Sequence, residues 1–220
     1  MTKFTRSIVA IASVLGVSVV LAGAALAAGG TNVVPANGKV AGEGYAYYLE
    51  RSWQITFATS PPAEPCQTLT VNGKQVGLLT TKTLTPMPES YSCSEPTGRP
   101  VYAIQLGNEC STFKGDHGTF GTSDSQLKKC AVALFKGVKD TATVDGHSVK
   151  VTRLIATTGV YPVHVPKKNI NGSGKAGMGR SAAHGYGLLL TGFSKGTHVI
   201  HALASVGTSK WDITWTLHVH

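Results

Sequence analysis

The chain has 220 residues, a formal net charge of +9, a sequence pI near 9.5, and only 14% charged residues. With 26 glycines and recurrent Thr, Val and Ser, this composition favours a turn-rich β protein over a helical bundle. The length suits one domain with its own core.

The first residues read as an export leader. Lys3 and Arg6 precede an apolar run from Ile8 to Leu21, and Ala25-Leu26-Ala27 supplies a small-residue cleavage site. No basic stop-transfer cluster follows, so residues 1–27 are expected to be a cleaved signal peptide rather than an anchor, with the mature chain beginning near Ala28. No later segment is apolar for long enough to span a membrane. The expected location is therefore extracellular or within the cell envelope. Loss of Lys3 and Arg6 takes the charge from +9 to +7.

Residues 28–42 are small and Gly-rich, and are expected to be flexible. Residues 43–220 are expected to form a single domain. Tyr45, Tyr48, Leu49, Trp53 and Phe57 recur every three or four residues, which predicts an amphipathic helix stopped by Ser60-Pro61-Pro62, with Trp53 packed on the β domain. Residues 66–107 read as short strands. Asn72-Gly73 marks a hairpin, and Val101, Ala103 and Gln105 alternate with Tyr102, Ile104 and Leu106 as in a buried strand.

Near residue 123 the period changes. Ser123 and Gln126 form a capping box ahead of a helix expected over about 123–136, and Gly137 can end it. Asp145-Gly146 predicts a second hairpin with a type I′ turn. The run from Leu154 to Pro166 reads as a strand pair or an extended segment, and residues 167–185 as a polar, glycine-heavy loop. The segments GYGLLLTGF and THVIHALASV are expected to form a hairpin, followed by a closing strand in which Ile213, Trp215, Leu217 and Val219 face a core.

Cys66, Cys93, Cys110 and Cys130 all follow the leader. An even count in an exported chain favours two disulfides over a zinc site, because no C-x-x-C pair occurs. Three connectivities are open; Cys66–Cys93 with Cys110–Cys130 closes two moderate loops and is the expected one.

The ordered landmarks are the Trp-bearing helix, CSEPTGRPVYAIQLGNECS, a Cys-containing helix, TATVDG, GYGLLLTGFSKGTHVIHA and DITWTLHV. In these the chain resembles a group of uncharacterised secreted bacterial β-sandwich proteins. The resemblance implies a sandwich with a helical annex and disulfides of the kind just described, and brings no activity. Two positions depart from the pattern: Arg51-Ser52-Trp53 stands where a Trp-Trp pair is common, and Gly187 where Trp often sits. The fold expected is mainly β, an antiparallel, jelly-roll-like β-sandwich with a short N-terminal helix, one inserted helix and two disulfides.

Three motifs bear on chemistry. Gly192-Phe193-Ser194-Lys195-Gly196 matches the G-x-S-x-G elbow, and Asp212 and His218 follow in hydrolase order. The elbow needs a helix after the serine, but THVIHALASV reads as a strand, so Ser194 is expected to lie in a turn. The Gly172–Gly177 segment satisfies G-x-G-x-x-G, yet no helix long enough to present amides to a phosphate follows it. His201, His218 and His220 are weak metal candidates on neighbouring strands, with exposed sheet histidines as the expectation. The scattered carboxylates offer no acid pair across a groove.

Charge is lopsided. From Ala28 to Cys110 five basic residues meet six acidic ones; from Ser111 onward thirteen meet five, for a net +8. Outside a cell this points to an anionic cell-envelope polymer or glycan rather than nucleic acid. Lys167, Lys168, Lys175 and Arg180 are the candidate contacts. The expected function is a secreted, non-enzymatic binding or envelope-associated module without a cofactor. The alternatives are a small extracellular hydrolase or His-metal protein, and a structural secreted protein without ligand.

Overall fold

The computed structural model describes residues 30–58, 64–82, 86–113, 119–133, 135–167 and 176–220. The leader, Ser60-Pro61-Pro62 and most of the Gly172–Gly177 motif lie outside the described residues. The elements run β1 (Asn32–Val33), α1 (Tyr45–Ala58), β2 (Cys66–Val71), β3 (Lys74–Leu79), β4 (Pro88–Glu95) and β5 (Val101–Ser111). They continue with α2 (Asp124–Ala133), β6 (Lys139–Val144), β7 (His147–Val149), β8 (Ile155–Thr157), β9 (Tyr161–Val165), β10 (Gly177–Thr191), β11 (Gly196–Val206) and β12 (Ser209–Val219).

The protein is mainly β, built from two sheets with two helices. One sheet runs β1-β10-β5-β3-β2, and the long β10 pairs along the same sheet with β8 and β9 as well. The other runs β4-β12-β11-β6-β7. Most neighbours are antiparallel; β3 with β5 and β12 with β4 are parallel.

Alternation sets the core. On β12, Ile213, Trp215, Leu217 and Val219 are buried, while Thr214, Thr216 and His218 face out. Trp215 is fully buried, and its indole N–H donates to the Thr80 carbonyl at 3.2 Å, so its one polar atom is satisfied. Across the interior, Val101, Ala103, Leu188 and Leu190 belong to the same core cluster.

Helix α1 covers the other face of the first sheet. Tyr48 stacks on Tyr102 at a centroid distance of 5.6 Å, and Trp53 lies 5.3 Å from Phe57 in a cluster with Tyr161, Val163 and Ala183. The phenols of Tyr45 and Tyr48 donate to the carbonyls of Val34 and Val40 at 2.6 and 2.8 Å. Those bonds, and pairing of Asn32 and Val33 with β10, hold the segment ahead of α1.

Helix α2 begins with the expected box: the Gln126 N–H donates to Ser123 Oγ at 3.3 Å, and Gln126 Oε1 accepts from the Ser123 N–H at 3.2 Å. It packs Leu127 and Ala131 against Cys110 and Ala182. The disulfides are Cys66–Cys93, linking an edge strand of one sheet to an edge strand of the other, and Cys110–Cys130, linking β5 to α2. With no cysteine left free, the chain fits an oxidising compartment.

Two expectations fail. Residues 177–185 are the first part of β10 rather than a loop, paired with β9 and β5. Two of its glycines serve close approach: a Cβ on Gly185 would stand 2.6 Å from the Leu106 carbonyl, and one on Gly179 2.5 Å from the Phe113 ring. The segments around Ser194 also do not form a hairpin, because β10 and β11 belong to different sheets. The link between them crosses the sandwich, and the hairpin is β11–β12.

Candidate functional site

The link at Ser194 is the place to test for chemistry. β10 ends at Thr191 and β11 begins at Gly196, so a strand and not a helix follows the serine. Gly192 and Gly196 take φ of 79° and 142°, values that free the backbone to turn between the sheets. Ser194 is exposed.

An imidazole does approach Ser194, at the backbone. His198 Nε2 lies 2.9 Å from the Ser194 carbonyl oxygen, and His198 Nδ1 lies 2.7 Å from Asp145 Oδ2. Both ring nitrogens face acceptors, an arrangement suited to the imidazolium, which donates from both. Burial disfavours that charge, but the Asp145 carboxylate and the Ser194 carbonyl outweigh it and raise the His198 pKa above 6.5. With neither nitrogen open toward a hydroxyl, His198 is not placed as a general base. Asp145 Oδ1 also accepts the Val199 N–H at 2.8 Å, so the β6–β7 turn, β11 and the Ser194 link are tied at one point.

The residues in hydrolase order stay apart. Asp212 and His218 sit on one strand six positions from each other, roughly 20 Å of extended chain. Asp212 instead binds His201 Nε2 at 2.8 Å, with Lys210 Nζ 3.8 Å away.

The three histidines considered for metal share the outward face of the second sheet without converging. His201 lies opposite Thr214, four positions from His218 along β12, or roughly 13 Å. His218 Nε2 meets Ser92 Oγ at 3.0 Å, and His220 Nδ1 meets Ser94 Oγ at 3.3 Å. Among the described residues no group of three or more His, Cys, Asp or Glu side chains is arranged to hold a metal ion.

Of the basic candidates, Lys168 and Lys175 lie outside the described residues. Lys167 is exposed just after β9. Arg180 is engaged: its guanidinium pairs with Asp124 at the start of α2 and donates to the Thr122 carbonyl at 3.3 Å. Exposed cations also occur elsewhere. Lys128 and Lys129 flank Val132 and Ala133 on the open face of α2, where Val132 is 46% exposed. Lys136, Lys139, Lys150 and Arg153 are exposed as well, and none of these six forms an ion pair among the described residues.

Buried polar groups are the features that composition and motif did not reveal. Beneath α1, Ser181 Oγ donates to Glu109, lies 3.3 Å from the Tyr161 phenol, and both Ser181 and Glu109 are buried. Burial and the charges of Glu109 and Glu50 drive the Tyr161 pKa well above its ordinary value, against the opposing Ser181 hydrogen bond. Asp140 differs, since both its carboxylate oxygens are buried without a hydrogen-bond partner. Burial pushes its pKa up to about 7, and the nearby Thr141 N–H offsets part of this without reaching hydrogen-bond geometry. No spacing signals such a residue in advance; it lies in a strand of ordinary β pattern.

No family model matches the chain, and no curated protein matches it in sequence. Among solved structures, amebosin is similar at 12% identity and a TM-score of 0.20, covering 61% of this chain and 99% of its own. The cysteine protease inhibitor EhICP2 from Entamoeba histolytica gives 11%, 0.22, 61% and 99%. PbICP-C, solved in complex with falcipain-2, gives 10%, 0.26, 65% and 97%. At these TM-scores the likeness carries no argument about this chain.

Proposed function

We propose that the chain is an exported, non-enzymatic binding module that contacts an anionic cell-envelope polymer or glycan through its basic second half. The resemblance to secreted bacterial β-sandwich proteins and the leader-like first 27 residues belong to the same reading. The observation that carries it is the net +8 from Ser111 onward, together with exposed cations on and after α2 that form no ion pair among the described residues. Unpaired surface cations create a field that gathers a polyanion over several contacts without requiring a shaped pocket. The Ser194 geometry favours this reading over a hydrolase, because both nitrogens of the neighbouring imidazole are already occupied.

The test is retention of the mature chain on dextran sulfate beads against neutral dextran beads. Selective retention on the sulfated beads, falling at least roughly tenfold as NaCl rises from about 50 to about 500 mM, is expected. Equal retention on both beads, or retention indifferent to salt, contradicts the proposal.

A further inference from the structure

Where α2 ends, three rings gather on the first sheet. The chain leaves the helix in turns: the Phe135 N–H donates to the Val132 carbonyl at 3.1 Å, and the Phe135 carbonyl accepts the Val138 N–H at 3.3 Å. These turns set the buried Phe135 ring against β10, edge-on to His184 at a centroid distance of 5.1 Å and tilted by 52° to Tyr186 at 5.2 Å. β8 borders the rings. Thr157 lies opposite His184 and Ile155 opposite Tyr186, and cross-strand partners share a face. On that face the Thr157 hydroxyl and His184 Nδ1 are hydrogen-bonded at 2.7 Å. Under α1 the rings of Trp53 and Phe57 are buried, whereas this patch is open: His184 and Tyr186 are half-buried, Thr157 is exposed, and Ile155 is 38% exposed.

Cations border the patch. Lys136 follows Phe135 directly, and Lys139 opens β6 where the same turns end. Arg153 closes the one-turn helix Val151–Arg153, which contacts both β10 and β6 and stands two residues before Ile155. All three side chains are exposed and form no ion pair among the described residues. The one acid on residues 135–140 and 150–157 is Asp140, and both its carboxylate oxygens are buried.

A solvated aromatic face favours a ligand that is apolar on one side, and cations at its rim favour one that is anionic at its edge. A sugar acid is both. The C–H face of its ring fits on Tyr186, its hydroxyls suit Thr157 and the Tyr186 phenol, and its carboxylate suits Arg153, whose planar guanidinium binds such a group through two parallel hydrogen bonds. A polyanion without rings satisfies the cations and leaves the aromatic face unused. We infer that the Phe135–His184–Tyr186 patch is a binding site for a uronic-acid unit of an acidic glycan. The inference rests on the polyanion reading above and narrows it from a charged surface to one site.

The test compares polygalacturonate with polyacrylate, a polycarboxylate without rings, as ligands of residues 28–220 and of the same segment carrying Tyr186→Leu, with circular dichroism checking the fold. Tyr186→Leu should weaken polygalacturonate binding at least roughly threefold and change polyacrylate binding less than about twofold. A second reading leaves the aromatic residues untouched: Arg153→Gln should weaken polygalacturonate binding at least roughly twofold more than Lys195→Gln, which removes an exposed cation from the Ser194 link. A folded Tyr186→Leu variant that loses nothing, or loses equally for both polymers, overturns the site while the polyanion reading stands. Equal losses for Arg153→Gln and Lys195→Gln overturn it as well. If the unsubstituted segment binds neither polymer, both readings fall.

Discussion

At the scale of single residues, two ionisable groups make stability depend on pH in ways that can be separated. Asp140 holds its proton up to about pH 7 in the fold, against an ordinary value of 3.8. The stability tied to its neutral form is complete below about pH 3.8 and is lost as pH rises through about 7. Asp140→Asn should therefore stabilise the protein at pH 8, by on the order of 4 kcal/mol at most, and change little at pH 4. Urea unfolding at the two pH values measures the difference; an equal effect at both would refute the assignment. His198 gives its own window. Its pKa is raised, so the clasp to Asp145 and Ser194 is intact below 6.5 and fails as pH climbs through the higher folded value. His198→Gln should cost roughly 1–3 kcal/mol at pH 6 and progressively less toward pH 9. A constant cost across that range would show that the ring acts by packing against Phe193 alone, whose centroid is 5.1 Å away.

Elements differ in how much of them the chain spells out locally. The two type I′ hairpins were legible because their turns need positive φ at successive positions. Asn72-Gly73 takes 48° and 76°, and Asp145-Gly146 takes 51° and 78°. The helices were legible from period and capping. The first half of β10 was not, because Gly177, Gly179 and Gly185 imitate a loop, while Gly179 admits the Phe113 ring, Gly185 admits the neighbouring backbone, and Gly177 takes a φ of 136°. That role gives a prediction. Gly185→Ala should destabilise by about 1–3 kcal/mol, since its Cβ would meet backbone that cannot move aside, whereas Gly159→Ala has open space and should be near neutral. Thermal unfolding of the two variants decides; equal, small effects would mean the strands separate easily at that point. Gly187 follows the same logic: a Cβ there would stand 2.3 Å from the buried Tyr102 hydroxyl, so a larger side chain could not be seated without displacing Tyr102.

For the molecule as a whole, the two-sheet architecture, the helix positions and both disulfides could be anticipated, because alternation, periodicity and cysteine order are written along the chain. Which sheet each strand joins could not. The alternation of β11 is the same whether it folds back on β10 or crosses to the opposite sheet, and only the three-dimensional pairing with β6 and β12 separates these. The same limit applies to function. Ser194 could be recognised as a turn residue, but the Asp145–His198 clasp that occupies the nearby imidazole joins positions 53 apart and has no local signature. Charge asymmetry needs no pairing information to be seen, and it remains the main support for polyanion binding. The most direct measurement is the salt dependence of affinity for soluble dextran sulfate, comparing residues 28–220 with the same segment carrying Lys128→Glu, Lys129→Glu and Lys136→Glu. The account predicts affinity that falls steadily with NaCl, and a variant that binds at least roughly tenfold more weakly with a shallower salt dependence. Affinity that is flat with salt, or a folded variant that binds as well as the wild type, would contradict it.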